Sequence, residues 1–319
     1  MKGFIKQTAL VVLVISAFMQ LPSTALGQSE APRLSVSVSP FIGRDSNVSL
    51  STDADFGVDA ESTTGGLSAA VSYQFVRRGN TTVAAELNAF HVQQFDVDGF
   101  DVTSVAPSLR LTHRWRAGDL PVGLSATTGV RLVDVADDGF NSATSVFVDA
   151  SLSTELMARL QAGVSLRVSN NDFDGEGFFS DATSRDSVRY EPAIFVAYRL
   201  LPTLTRFSVS FAASINDADG LDQNYTSRTI LVAVEQPVAT RFGVFSASAS
   251  AALGTREHDE FTSQPRREQD LLQTRVGLSW QISANVTVFG SVNWMDSDAN
   301  RVDFSYDRTR SSFGLIWRF

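Results

Sequence analysis

The sequence predicts an all-β fold: a transmembrane antiparallel up-and-down β-barrel of about 14 strands, with roughly 12–16 possible, and with both termini on the same side of the membrane. Three observations lead there. Segments of about ten residues with alternating apolar and polar character repeat from Leu34 to Phe319. The connectors between them alternate between short and long, the rhythm of tight turns on one rim and larger loops on the other. The chain is 43% hydrophobic with a mean hydropathy near zero, and no stretch after residue 27 is long and apolar enough to be a spanning helix.

Taken in order, Met1 to Gly27 reads as a cleaved secretory signal peptide. Lys2 and Lys6 charge its start, Ala9 to Phe18 is apolar, and Ala25-Leu26-Gly27 is a small-x-small cleavage site before Gln28. The apolar run is shorter than the ~20 residues a spanning helix needs. Residues 28–319 are expected to form one barrel domain.

The first strand is expected at Leu34 to Ile42. The second, Leu67 to Phe75, ends in a tight turn at Arg77-Arg78-Gly79-Asn80. The third runs from Thr82 to Val92 and the fourth from Val102 to Trp115, where Val105, Pro107, Leu109, Leu111, His113 and Trp115 share one face. Ala117-Gly118-Asp119 turns into the fifth, Val122 to Val133. The sixth, Ser145 to Leu156, returns through Met157-Ala158-Arg159 as the seventh, Leu160 to Ser169. The eighth is Val188 to Leu200, where Pro192 removes a ladder donor and weakens pairing. The ninth to thirteenth are Phe207 to Ile215, Arg228 to Gln236, Phe242 to Leu253, Leu272 to Ile282 and Val286 to Trp294.

The last strand, Thr309 to Phe319, is the most telling. Thr309, Ser311, Phe313, Leu315, Trp317 and Phe319 share one face; Arg308, Arg310, Ser312, Gly314, Ile316 and Arg318 share the other. An amphipathic strand ending on Trp317 and Phe319 suits a barrel that must close its last strand on its first and face lipid. With an even strand number, Tyr73, Trp115, Tyr198, Trp280, Trp317 and Phe319 fall at the short-turn end of descending strands, as an aromatic girdle does.

Arginine within the bilayer-facing side costs ~2–4 kcal/mol at the midplane, so charged strand residues are expected to face the lumen. Those expected to line it are Arg110, Arg114, Arg131, Asp149, Arg167, Arg189, Glu191, Arg199, Glu235, Arg275, Arg308 and Arg310, with Glu86, Glu155 and Arg228 beside them. The lumen is then either a charged conduit or a wall braced by arginine–carboxylate ladders. The long connectors are acidic, with Asp-x-Asp-Gly at Asp96, Asp172 and Asp217. No Glu closes a twelve-residue loop, so these are turns rather than EF-hands. Loops 43–64 and 170–186 are long enough to fold inward.

Several classes are excluded. The absence of cysteine rules out disulfides, thiolate metal sites, a cysteine nucleophile and a lipid-modified N-terminal Cys. Removing Lys2 and Lys6 takes the formal net charge from −9 to −11, two positive charges fewer, which disfavours nucleic acid as a partner. The three histidines, His91, His113 and His258, show no nucleophile or carboxylate partner at one rim, so no enzyme is expected. No phosphate loop or metal-ligand spacing is present, so no cofactor and no metal are expected.

The sequence resembles Gram-negative outer-membrane β-barrel proteins through Ala25-Leu26-Gly27, the alternating segments and the closing Phe313-Gly314-Leu315-Ile316-Trp317-Arg318-Phe319. This resemblance implies location in the cell outer membrane with periplasmic termini. It also implies outer-membrane lipid and lipopolysaccharide as surroundings, and the barrel-assembly machinery as a partner reading the C-terminal strand. A more distant similarity is to the barrel domain of surface lipoprotein assembly modifiers, carried by Gly43-Arg44-Asp45-Ser46-Asn47-Val48 and Tyr306-Asp307-Arg308-Thr309-Arg310. The helical-repeat periplasmic domain usual in that family does not appear in the sequence. The expected function is a pore or transport channel for small solutes. The alternatives are an assembly or translocation barrel working with a periplasmic partner, or a structural or adhesive barrel.

Overall fold

The computed structural model describes residues 33–48, 61–135, 142–173, 185–200, 204–220, 223–259, 266–300 and 304–319. The signal-peptide segment, most of loop 43–64, the tip of loop 170–186 with Phe178 and Phe179, and acids such as Asp137, Asp138 and Asp174 lie outside them.

Fourteen strands close into one barrel: β1 Leu34–Asp45, β2 Ser62–Arg78, β3 Thr81–Gln94, β4 Val102–Ala117, β5 Leu120–Val135, β6 Ala143–Met157, β7 Leu160–Phe173, β8 Ser187–Leu200, β9 Thr205–Ala218, β10 Tyr225–Thr240, β11 Gly243–His258, β12 Glu268–Gln281, β13 Val286–Ala299 and β14 Tyr306–Arg318. Each strand pairs antiparallel with its sequence neighbours, and β1 pairs with β14. Every strand expected from the alternation is present. Most extend further toward the long-loop rim, so that Asp172, Asp217, Asp296 and Asp298 belong to strands rather than connectors.

Among the described residues, the short rim is made of tight turns. Gly79 (φ +56°) and Gly118 (φ +63°) take the left-handed conformation in the β2–β3 and β4–β5 turns, and a Cβ at either would meet nothing, so the backbone angle alone explains the glycine.

Cross-strand register shows how the two faces differ. Val164, Ile194, Phe211, Ile230, Leu253 and Leu272 stand abreast on β7 to β12, and every one of them is exposed. The opposite face carries Arg110, Thr127, Asp149, Arg167 and Glu191 abreast on β4 to β8. Large apolar side chains outside and charge within invert the pattern of a soluble domain, and they match the apolar band of a membrane barrel. Among the described residues the buried apolar side chains are few and many are alanines; the main cluster is Val36, Val71 and Leu87 with Leu34 and Val105 against it.

Three prolines interrupt the ladders. Pro40, Pro107 and Pro192 leave gaps in the pairing of β1 with β14, β4 with β5, and β8 with β9. Each lacks the N–H that would face its neighbour, as expected for Pro192.

Candidate functional site

The inner wall is built by parity. On β4 and β5 the even and odd positions respectively face in, and register carries that parity from strand to strand. Arg110, Arg114, Arg131, Asp149, Arg167, Arg189, Glu191, Arg199, Glu235, Arg275, Arg308 and Arg310 all fall on the face opposite the exposed apolar row. Arg228 does not. It pairs with Thr255 and Ala213 two residues from outward Ile230, so it faces out, contrary to expectation. The reason is height: it lies near the long-loop end of β10, and it lines an outer groove with Asp270, Asp296 and Asp298. There its guanidinium can reach past the apolar band.

Two groupings bring the inward residues together. The first is a recess of about 500 Å3 on the inner wall of β1 to β7. Arg110 pairs with Glu86 at 3.0 Å. Arg167 Nε lies 3.4 Å from Asp149 and 3.7 Å from Glu191, so two carboxylates stand in ion-pair range of one guanidinium. Phe147 interrupts the polar face of β6 between Ser145 and Asp149. Its ring is 6% exposed and lies under both Arg131, at 5.8 Å, and Arg167, at 5.2 Å. Gly129 makes room for that ring: a Cβ there would fall 2.9 Å from Phe147 Cζ. Sequence reasoning passed over Phe147; the available signal was an aromatic at an inward parity among serines and an aspartate.

The second grouping is at the β1–β14 seam. Asp45 is fully buried and accepts from Arg308 Nε at 2.9 Å and Nη2 at 2.6 Å, with Arg310 Nε at 3.2 Å. Asn47 N–H also donates to Asp45, at 3.3 Å, and the Asn47 amide donates to the Asp307 carbonyl at 3.0 Å. Ser46 and Thr309 exchange two more bonds, at 2.9 and 2.8 Å. The two short stretches that carry the similarity to assembly-modifier barrels thus meet as a clasp closing the barrel.

The remaining predicted positions are more dispersed. Arg199 stands directly opposite Arg206, and Arg206 opposite Glu235. Arg189 donates to Asn216 at 3.4 Å and lies over Tyr225; Arg275 faces Ser250 and Asn293; Arg114 faces Gly123. Among the aromatics, Trp280 stacks on Phe245 and donates to the Phe242 carbonyl at 2.9 Å, Trp317 stacks on Phe319, and Trp115 stacks on His113. Tyr73 pairs with Leu34 and Tyr198 with Phe207. All are on the outer face near the short turns. The histidines are engaged in local contacts: His91 with Thr103 at 2.9 Å, His113 with Thr81 at 2.8 Å, and His258 against Tyr225. His258 ends β11 and is buried, rather than lying in a loop.

No family model matches the sequence, and no curated protein matches it significantly. Among solved structures the chain is similar to a bacterial polysaccharide outer-membrane secretin, at 12% identity over 89% of this chain and 98% of that one, with a TM-score of 0.49. It is also similar to OprD of Pseudomonas aeruginosa, at 10% identity over 93% and 97% with a TM-score of 0.45. A third is an anion-selective porin from Comamonas acidovorans, at 10% identity over 90% and 98% with a TM-score of 0.47. Likeness at this level is one of general barrel architecture.

Proposed function

We propose that this chain is an outer-membrane pore for small hydrophilic solutes, exported through its cleaved signal peptide, with the short turns and both termini on the periplasmic side. The observation that carries the reading is the inverted distribution of side chains. Large apolar residues stand abreast on the outside, where acyl chains solvate them, while the charged residues stand abreast around the interior. A wall braced only for stability needs matched ion pairs. Here, among the described residues, Arg131 and Arg275 face the interior with no carboxylate in ion-pair range. Charge left available to a passing solute is what a conduit requires. The aromatic residues above the short turns are read as the inner interfacial girdle.

The test is to refold residues 28–319 in detergent and reconstitute them in planar bilayers. Stepwise single-channel conductance is expected. A barrel that inserts, migrates as a heat-modifiable species on gels and passes no current overturns the pore reading while leaving the fold intact.

A further inference from the structure

The inner recess presents two unlike charges on either side of one aromatic ring. On one side is Arg131, whose guanidinium rests 5.8 Å from the Phe147 ring and has no ion-pair partner among the described residues. On the other side Asp149 in the recess and Glu191 on the adjoining strand β8 both lie in ion-pair range of Arg167 Nε, at 3.4 and 3.7 Å, so one negative charge exceeds what that guanidinium neutralises. The neighbouring Glu86–Arg110 pair is self-contained at 3.0 Å and adds no net charge. The recess together with Glu191, which stands beside Arg167 on the adjoining strand β8, therefore holds a spare cation and a spare carboxylate separated by the Phe147 ring.

We propose that this recess is a binding site for small zwitterionic solutes of short-peptide size, with the solute carboxylate on Arg131 and its ammonium between Asp149 and Glu191. This rests on the pore reading above and names its substrate class.

Three physical points support it. An arginine fork matches a carboxylate geometrically, and Arg131 has all its donors available. Phe147 holds Arg131 and Arg167 against its buried ring, which limits the rotamer freedom lost on binding. Separation fits as well. Arg131 stands opposite Ser145, four residues before Asp149 on β6, which is about 13 Å along the strand before the side chains lean inward. Two or three residues of extended peptide span about 7–11 Å. A simple anion satisfies Arg131 and is repelled by the surplus carboxylate.

The experiment uses the refolded mature protein in planar bilayers with four probes of nearly equal size. These are triglycine, its N-acetyl form (anion), its amide (cation), and the N-acetyl amide (neutral). Because size is matched, differences in current-block dwell time report charge recognition. Triglycine is expected to dwell longest, by about two- to fivefold over either singly charged probe, the range of a partly solvated ion pair. Arg131→Gln removes the advantage of probes bearing a carboxylate, and Arg131→Lys restores part of it. The pair Asp149→Asn and Glu191→Gln removes the advantage of probes bearing an ammonium. Equal dwell times for all four probes in a conducting barrel overturn this inference and leave the pore standing. Absence of any conductance removes both.

Discussion

At the level of single residues, the seam clasp allows magnitudes to be assigned. Asp45 is completely buried and bound by both forks of Arg308, whose side chain is only 14% exposed; Arg310 adds one contact and is 48% exposed. A buried pair broken from one side costs about 3–5 kcal/mol, because the remaining charge loses its compensation. A half-exposed contact contributes about 0.2–1 kcal/mol. Asp45→Asn and Arg308→Gln are thus expected to lower the urea midpoint of the refolded barrel strongly. Arg310→Gln should lower it little. Equal losses for the three variants contradict the assigned hierarchy. The same comparison separates structure from transport, because Arg131 and Arg275 have no such partner among the described residues and their substitution should leave the midpoint nearly unchanged.

At the level of elements, the closing ladder between β1 and β14 is interrupted in its middle. Pro40 faces out, its carbonyl lies against β14 where a Cβ on Gly314 would fall 2.5 Å from it, and it offers no donor there. Pro40→Val supplies that donor and keeps an apolar side chain on the outer face. The expected effect is a gain of about 0.5–1.5 kcal/mol in urea unfolding, the net worth of one hydrogen bond. A loss, or no change, means the strand is locally held off its neighbour for another reason. The elements themselves were readable because a period of two is independent of partners: alternation marked all fourteen strands and sorted Arg110, Asp149, Arg167 and Glu191 onto one face. What alternation does not encode is register. Which carboxylate meets which arginine depends on the stagger between strands, so the sharing of Arg167 by Asp149 and Glu191 was not legible. Strand ends were the other blind spot. Asp45 lies three residues beyond the expected end of β1, and Arg228 sits high enough on β10 to face out, where a rule built for the bilayer midplane does not apply.

At the level of the whole molecule, charge is polarised along the barrel axis. Near the short turns the inward positions include Arg114, Arg199, Arg206 and Arg318, against Glu155 and Glu235. The opposite rim is dominated by acids, among them Asp96, Asp101, Asp219, Glu257 and Glu268. Arg199 and Arg206 stand directly opposite each other, an arrangement that costs pairing energy and concentrates positive charge at that mouth. Fixed charge of one sign at one mouth and the other sign at the second makes ion entry depend on the direction of the field. If the barrel conducts, its current in symmetric 0.1 M KCl is therefore expected to differ between the two polarities. Screening shortens the reach of these charges from about 10 Å at 0.1 M to about 3 Å at 1 M, so the asymmetry should fade as salt is raised. The double substitution Arg199→Gln and Arg206→Gln should reduce it at 0.1 M while leaving the barrel folded, since neither side chain has an ion-pair partner among the described residues. A current that is symmetric at low salt would show that this polarity does not reach the conduction path. Asymmetry that persists at 1 M would instead assign it to the shape of the lumen.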